Sequence, residues 1–158
     1  MERDKKLKDS AILDRARHLC AMSEQCESGV RQKLVTWGAG AGEADAVVKH
    51  LREEGYLDDH RYARAYCESK VLGQGWGRQK VLYQLRLKHL PKEAIDSAME
   101  AVDGDKYMEV LRSVAEHKQR ELGGQLTAET HRKIVSFLMS RGFSYAEIDK
   151  VITNIPDQ

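Results

Sequence analysis

Apolar residues in this chain recur at spacings of three and four, and the pattern is itself repeated, so a tandem array of amphipathic helices is the architecture to expect. Val30, Leu34 and Gly38 reappear 51 positions later as Val81, Leu85 and His89, and 53 positions after that as Ile134, Leu138 and Gly142. A second stripe, Ala44, Val47, Val48 and Leu51, returns as Ile95, Ala98, Met99 and Val102, then as Ile148, Val151, Ile152 and Ile155. A leading stripe of Ile12, Leu13, Ala16, Leu19 and Cys20 completes a three-helix unit. No apolar/polar alternation is sustained, and only two prolines, Pro91 and Pro156, interrupt the chain. The expected fold is all-α: three tandem three-helix repeats forming an elongated, curved solenoid-like array. The expected organisation is an N-terminal extension at 1–8 and repeats at 9–57, 58–103 and 104–158.

Helix-boundary signals agree with these divisions. Gly38 and Gly142 stand where a left-handed residue would end the middle helix of their units, and Ser144 to Glu147 reads as a capping box. Pro91 opens the last helix of the second unit, where a missing N–H costs little. Between the first two units, Glu54 to Asp58 supplies a glycine stop, two apolar residues to tuck under the turn and an acidic N-cap. Asp103-Gly104-Asp105 makes a similarly short joint before a longer helix, roughly Asp105 to Leu122, that Gly123 and Gly124 end. Units of this size have small cores and gain stability by burying apolar surface against their neighbours.

Composition narrows the function classes. The longest stretch without Asp, Glu, Lys or Arg runs from Leu34 to Gly42, about half the length of a membrane-spanning helix. The charged N-terminus lacks the apolar run of a secretory signal, so a cytoplasmic protein is expected, with no membrane association. Cys20, Cys26 and Cys67 are an odd set without Cys-x-x-Cys spacing, which argues for reduced thiols over disulfides or zinc. The histidines at 18, 50, 60, 89, 117 and 131 form no metal-ligating pair. Glycine clusters at 38–42 and 73–77 follow no strand and lack the Lys-Ser/Thr ending of a phosphate loop, so they read as interhelical turns. Cys26 opens a helix but has no histidine near it in sequence, and Glu53, Glu54, Asp58 and Asp59 flank helix ends where capping explains them. No cofactor, metal or catalytic residue is expected.

Charge placement is more informative than the net charge of +1. Residues 77–92 carry Arg78, Lys80, Arg86, Lys88 and Lys92 without an acid, and residues 93–105 carry Glu93, Asp96, Glu100, Asp103 and Asp105 without a base. Together with Arg61, Arg64 and Lys70 in the preceding helix, the basic run is either a solvated face or a patch that meets phosphate or an acidic protein surface. Trp76 beside it is suited to stacking on a base, anchoring a protein contact, or packing on a neighbouring helix. Tyr62 and Tyr66 follow the buried stripe and are expected in the core.

Gly55-Tyr56-Leu57-Asp58-Asp59-His60-Arg61-Tyr62-Ala63, continuing to Gly75-Trp76-Gly77 and the basic helix after it, resembles the central signature of the RecX family of recombinase regulators. Arg141-Gly142-Phe143-Ser144-Tyr145 followed by Ile148 resembles that family's last unit, and the likeness covers roughly residues 9–155. Two places depart from the family pattern: the glycine-rich Gly38–Gly42 turn and Cys26, where a serine cap is usual. The resemblance implies a non-enzymatic protein that binds the RecA recombinase filament on DNA and restrains its ATPase, strand exchange and growth. The contact residues to expect are Arg61, Arg64, Lys70, Arg78, Lys80, Arg86 and Lys88, on a monomer that makes at most weak contact with single- or double-stranded DNA. The rival expectation is a direct DNA-binding helical protein that uses the basic middle repeat, since three short helices with a basic second helix can resemble a helix-turn-helix.

Overall fold

The computed structural model describes residues 11–152, so the expected extension at 1–8 and Ile155 of the last stripe lie outside the described residues. Nine α-helices follow one another there without a strand: α1 Ala11–Met22, α2 Glu27–Thr36, α3 Ala41–Glu53, α4 Asp59–Glu68, α5 Arg78–Leu87, α6 Lys92–Glu100, α7 Gly104–Glu121, α8 Ala128–Ser140 and α9 Tyr145–Val151. They make three tandem three-helix units, as the repeat predicts. Each expected stripe supplies a buried face. Val30 and Leu34 of α2, Val81 and Leu85 of α5, and Ile134 and Leu138 of α8 are all essentially inaccessible to solvent.

The caps follow local chemistry. Asp58 accepts the backbone N–H of Arg61, Asp103 those of Asp105 and Lys106, and Ser144 and Glu147 form a reciprocal capping box. Gly55 takes a positive φ, and Leu57 just after it is buried in the first unit's core. Cys26 caps α2 without a side-chain bond to a backbone N–H; its thiol is buried, 3.5 Å from the Ser28 hydroxyl.

The three units do not have three equal cores. Leu13, Ala16, Val30, Leu34, Val48 and Leu51 belong to a core confined to the first unit. The second and third units share one continuous core, and Cys26 is the first unit's buried contribution to it. Fusion of the last two units follows from the 18-residue α7, whose Tyr107, Leu111 and Ala115 are buried. This long helix lies against α8 and α9 and also against the π-helical turn Ser69–Gly73 that ends α4. The joint between the first unit and the rest is mainly polar. The Glu27 N–H donates to Asp59 at 3.0 Å, and the Ser28 hydroxyl donates to the Lys88 carbonyl. Burial pushes the Asp59 carboxyl up from its ordinary value, opposed by the Glu27 N–H.

The repeat also exposes one strained position. His89 has φ +56° at the place where the other units carry Gly38 at +97° and Gly142 at +100°. The left-handed conformation costs an L-residue about 1–2 kcal/mol, partly offset by glycine's extra freedom in the unfolded chain. His89→Gly is therefore expected to stabilise the protein by roughly 0.5–1 kcal/mol. A thermal melt followed by circular dichroism should show a midpoint higher by about 2–4 °C. A lower midpoint would mean that the imidazole makes a stabilising contact larger than the backbone strain.

Candidate partner-binding surface

The α4 helix buries Ala63 and Cys67, and the π-turn after it buries Val71, which leaves Tyr62 and Tyr66 half-buried along one edge. Their rings lie 5.8 Å apart, and Trp76 meets Tyr66 edge-on at 6.4 Å. Three lysines gather on these rings. The Lys70 ammonium lies 4.9 Å from the Trp76 ring centre and 5.4 Å from that of Tyr66, Lys80 lies 4.3 Å from Trp76, and Lys88 lies 5.7 Å from Tyr66. Each such contact is worth about 0.5–1 kcal/mol at an exposed site, enough to hold a flexible lysine near one place. Burial pushes the Tyr62 hydroxyl up to about 12 and Tyr66 above its ordinary value.

The outward face of α5 adds apolar surface. Tyr83 is 61% exposed and Leu87 56%, one turn apart and away from the buried Val81 and Leu85. Lys80 lies three residues before Tyr83, and Arg86 is exposed beside Leu87, with no ion-pair partner among the described residues. Lys70, Lys80 and Lys88 on the Tyr66 and Trp76 rings, with exposed Tyr83, Arg86 and Leu87 on α5, supply the aromatic, aliphatic and cationic groups that protein-binding surfaces use. The charge reading of the sequence missed Tyr83 and Leu87. The available signal was their position off the buried stripe of an otherwise amphipathic helix.

The other basic candidates have different surroundings. Arg61 donates from Nε to both Glu24 carboxylate oxygens, at 2.8 and 2.9 Å, and from Nη2 to the Gly55 and Tyr56 carbonyls at 3.2 Å. It ties the α1–α2 turn to the start of α4. Arg78 pairs with Glu147 of α9 at 2.9 Å, and its guanidinium lies 3.8 Å from the Tyr107 ring centre. Its backbone N–H donates to the Tyr107 hydroxyl, which donates onward to Glu147. Burial pushes that hydroxyl up to about 12. Arg64 borders a separate groove with Glu68, Leu72, Ala98, Asp103 and Lys106. Thus Lys70, Lys80 and Lys88 share one aromatic patch, Arg86 flanks the α5 face, Arg61 and Arg78 make internal ties, and Arg64 belongs to another groove.

The Arg78 tie is part of a larger joint. The Gly77 N–H donates to the Arg141 carbonyl at 2.7 Å, and the Gln79 N–H donates to the Gly142 carbonyl at 3.0 Å. A Cβ at Gly77 would lie 2.2 Å from the Gly142 carbonyl carbon, and one at Gly142 would lie 2.5 Å from Lys80 Cβ. The Arg141 guanidinium donates to the Gln74 carbonyl, and buried Phe143 packs on Tyr107 with ring centres 5.5 Å apart. The Gly75-Trp76-Gly77 and Arg141-Gly142-Phe143 segments are therefore two halves of one close backbone contact. It fixes the start of α5, and with it Lys80, against the third unit.

Among the described residues, no group of three or more His, Cys, Asp or Glu side chains is arranged to hold a metal ion, and no helix is long and apolar enough to cross a membrane. Cys20, Cys26 and Cys67 are free and buried, with burial pushing Cys67 up to about 11, away from the thiolate.

Comparison with known proteins gives consistent matches. Residues 58–99 match the model for the second three-helix domain of RecX, and residues 105–152 the model for its third. A regulatory protein RecX from Pectobacterium atrosepticum is 33% identical over 85% of this chain and 80% of its own length. One from Vibrio vulnificus is 30% identical over 89% and 87%, respectively. The RecX of Clostridium tetani is 27% identical over 84% of this chain, which spans 62% of that longer relative. Two crystal structures share the fold: a regulatory protein RecX (TM-score 0.80, 21% identity, 94% of this chain and 72% of the other) and RecX from Lactobacillus salivarius (TM-score 0.75, 18% identity, 88% and 90%).

Proposed function

The chain belongs to the RecX family of regulatory proteins, and from that premise we propose that it binds the RecA recombinase filament on DNA and restrains its ATPase, strand exchange and growth. The observation that carries the binding site is the gathering of Lys70, Lys80 and Lys88 on the Tyr66 and Trp76 rings, beside an α5 helix that exposes Tyr83, Arg86 and Leu87. The apolar centre supplies affinity once water is excluded, and the cationic edge supplies orientation and encounter rate against an acidic surface. The protein works as a non-enzymatic cytoplasmic monomer, its repeats at 9–57, 58–103 and 104–158 lying along the filament and touching more than one protomer.

Restraint by such a protein requires differential affinity for filament states and no covalent chemistry. A body docked in the groove occupies space needed by incoming DNA or by the conformational cycle of ATP hydrolysis. The joint at Gly77 and Gly142 serves this role by keeping the second and third units in one orientation, so that binding does not have to order them.

Direct DNA binding is the second reading, favoured by the Lys70 and Lys80 ammonium groups above Trp76. The functional test adds purified protein to preformed RecA filaments on single-stranded DNA and follows ATP hydrolysis. Inhibition at substoichiometric amounts is expected. Unchanged hydrolysis together with no filament association would remove the proposal.

A further inference from the structure

A concave surface lies where the π-turn after α4 meets the third unit, on residues other than those of the α5 patch. Its first part, about 590 Å³, runs between the π-turn after α4 and α7, with Leu72, Val110, Val114 and Phe137 as apolar lining. Its second part, about 630 Å³, lies between α7 and α8 and continues the first through the shared Lys118 and Phe137. The floor is mainly apolar only in the part between α7 and α8, is mixed beside the π-turn, and the rim is cationic. Lys118, Arg120, Arg132, Lys133 and Arg141 stand there against two carboxylates, Glu121 and Glu129. The Lys118 ammonium lies 4.6 Å from the Phe137 ring centre, and the Arg141 guanidinium lies 5.7 Å from it.

We infer that this groove takes an acidic amphipathic segment of a partner protein, with apolar side chains on the Phe137 floor and carboxylates toward Arg120 and Arg132. Charge complementarity sets the sign of the occupant, and the floor sets its amphipathic character. A nucleic-acid backbone fits less well. Glu121, 3.3 Å from Lys118, and Glu129, 3.3 Å from Lys133, interrupt the cationic rim and leave no continuous positive track for evenly spaced phosphates. A peptide can place its carboxylates between them. The N-terminus of α8, a common anion site, is closed by its own Thr127–Thr130 capping box. The groove goes beyond the α5 patch: it is a second contact, formed where the π-turn meets the third unit, that selects a peptide where α5 presents a broad face.

The test uses the full chain and a short fluorescein-labelled peptide of glutamates and aspartates with interspersed leucines and one phenylalanine, followed by anisotropy. Saturable binding is expected, with amide shifts centred on Val114, Lys118 and Phe137. Affinity should fall about tenfold in the exposed double variant Arg120→Glu/Arg132→Glu, and less in Arg120→Gln/Arg132→Gln. The charge-matched control Lys33→Glu/Lys49→Glu on the first unit should bind like the parent. Absence of binding, or equal affinity in the double reversal, overturns the inference. Tighter binding of oligothymidylate that is lost in the same variant would make the groove a nucleic-acid site, and concentration-dependent self-association lost in it would make the occupant a second copy of the chain. Either result also overturns it.

Discussion

Gly77→Ala is expected to destabilise the protein by about 3 kcal/mol or more, an unusually large effect for the addition of one methyl group. Its backbone at φ −81° and ψ 163° suits any residue, so conformational strain plays no part. The cost is steric. The new methyl would stand 2.2 Å from the Gly142 carbonyl carbon, a backbone atom that moves only if the two units part. Parting them lengthens the Gly77 to Arg141 and Gln79 to Gly142 hydrogen bonds and disturbs the Arg78, Tyr107 and Glu147 network beside them. Gly40 provides the control, because it caps α3 with nearly the same dihedral angles, −72° and 164°, and has open space where its Cβ would be. Urea denaturation should give a loss for Gly77→Ala that Gly40→Ala lacks. Hydrogen exchange should localise the loss to α4 through α9 while the separate core of α1 to α3 keeps its protection. Equal effects of the two substitutions would contradict the joint described here.

Reversing Lys70, Lys80 and Lys88 together to Glu is expected to weaken filament binding on the order of a hundredfold, since three favourable charge contacts become repulsive. The fold should survive. None of the three lysines makes an ion pair among the described residues, and Lys80 Cβ, which lies against Gly142, is retained in glutamate. Circular dichroism should be unchanged while affinity falls. Arg78→Glu is a poor probe of the same surface despite the same change in charge. It faces the Glu147 carboxylate with another carboxylate and loosens the joint, so reduced binding there would not separate contact from stability.

Helix positions and the repeat were legible because both depend on local spacing: a buried stripe needs only residues three and four apart, and a cap only its neighbours. Ser144 and Glu147 could be read as a box for that reason. The joint was not legible, because it pairs Gly77 with Gly142 and Arg78 with Glu147, and nothing within either segment announces the other. Arg78 and Lys80 stand two residues apart in one basic run, yet helical rotation sends one to Glu147 and the other to Trp76. The repeat implied small cores that bury apolar surface against their neighbours, but not which neighbours. The extra length of α7 merges two of them, leaving the first unit joined through Cys26 and a few polar ties. The family signatures were legible as motifs, but their physical role as the two sides of one contact appears only in three dimensions.

The proposed function requires that the chain recognise the assembled filament and not the nucleic acid inside it. The most direct measurement is the affinity of the labelled chain for preformed RecA filaments and for the same single-stranded DNA without RecA, each over a range of salt. Tight association only with filaments is the predicted result, with a loss as salt rises that is no larger than a few lysine contacts produce. Equal affinity for the bare strand, falling steeply as salt rises, would contradict it.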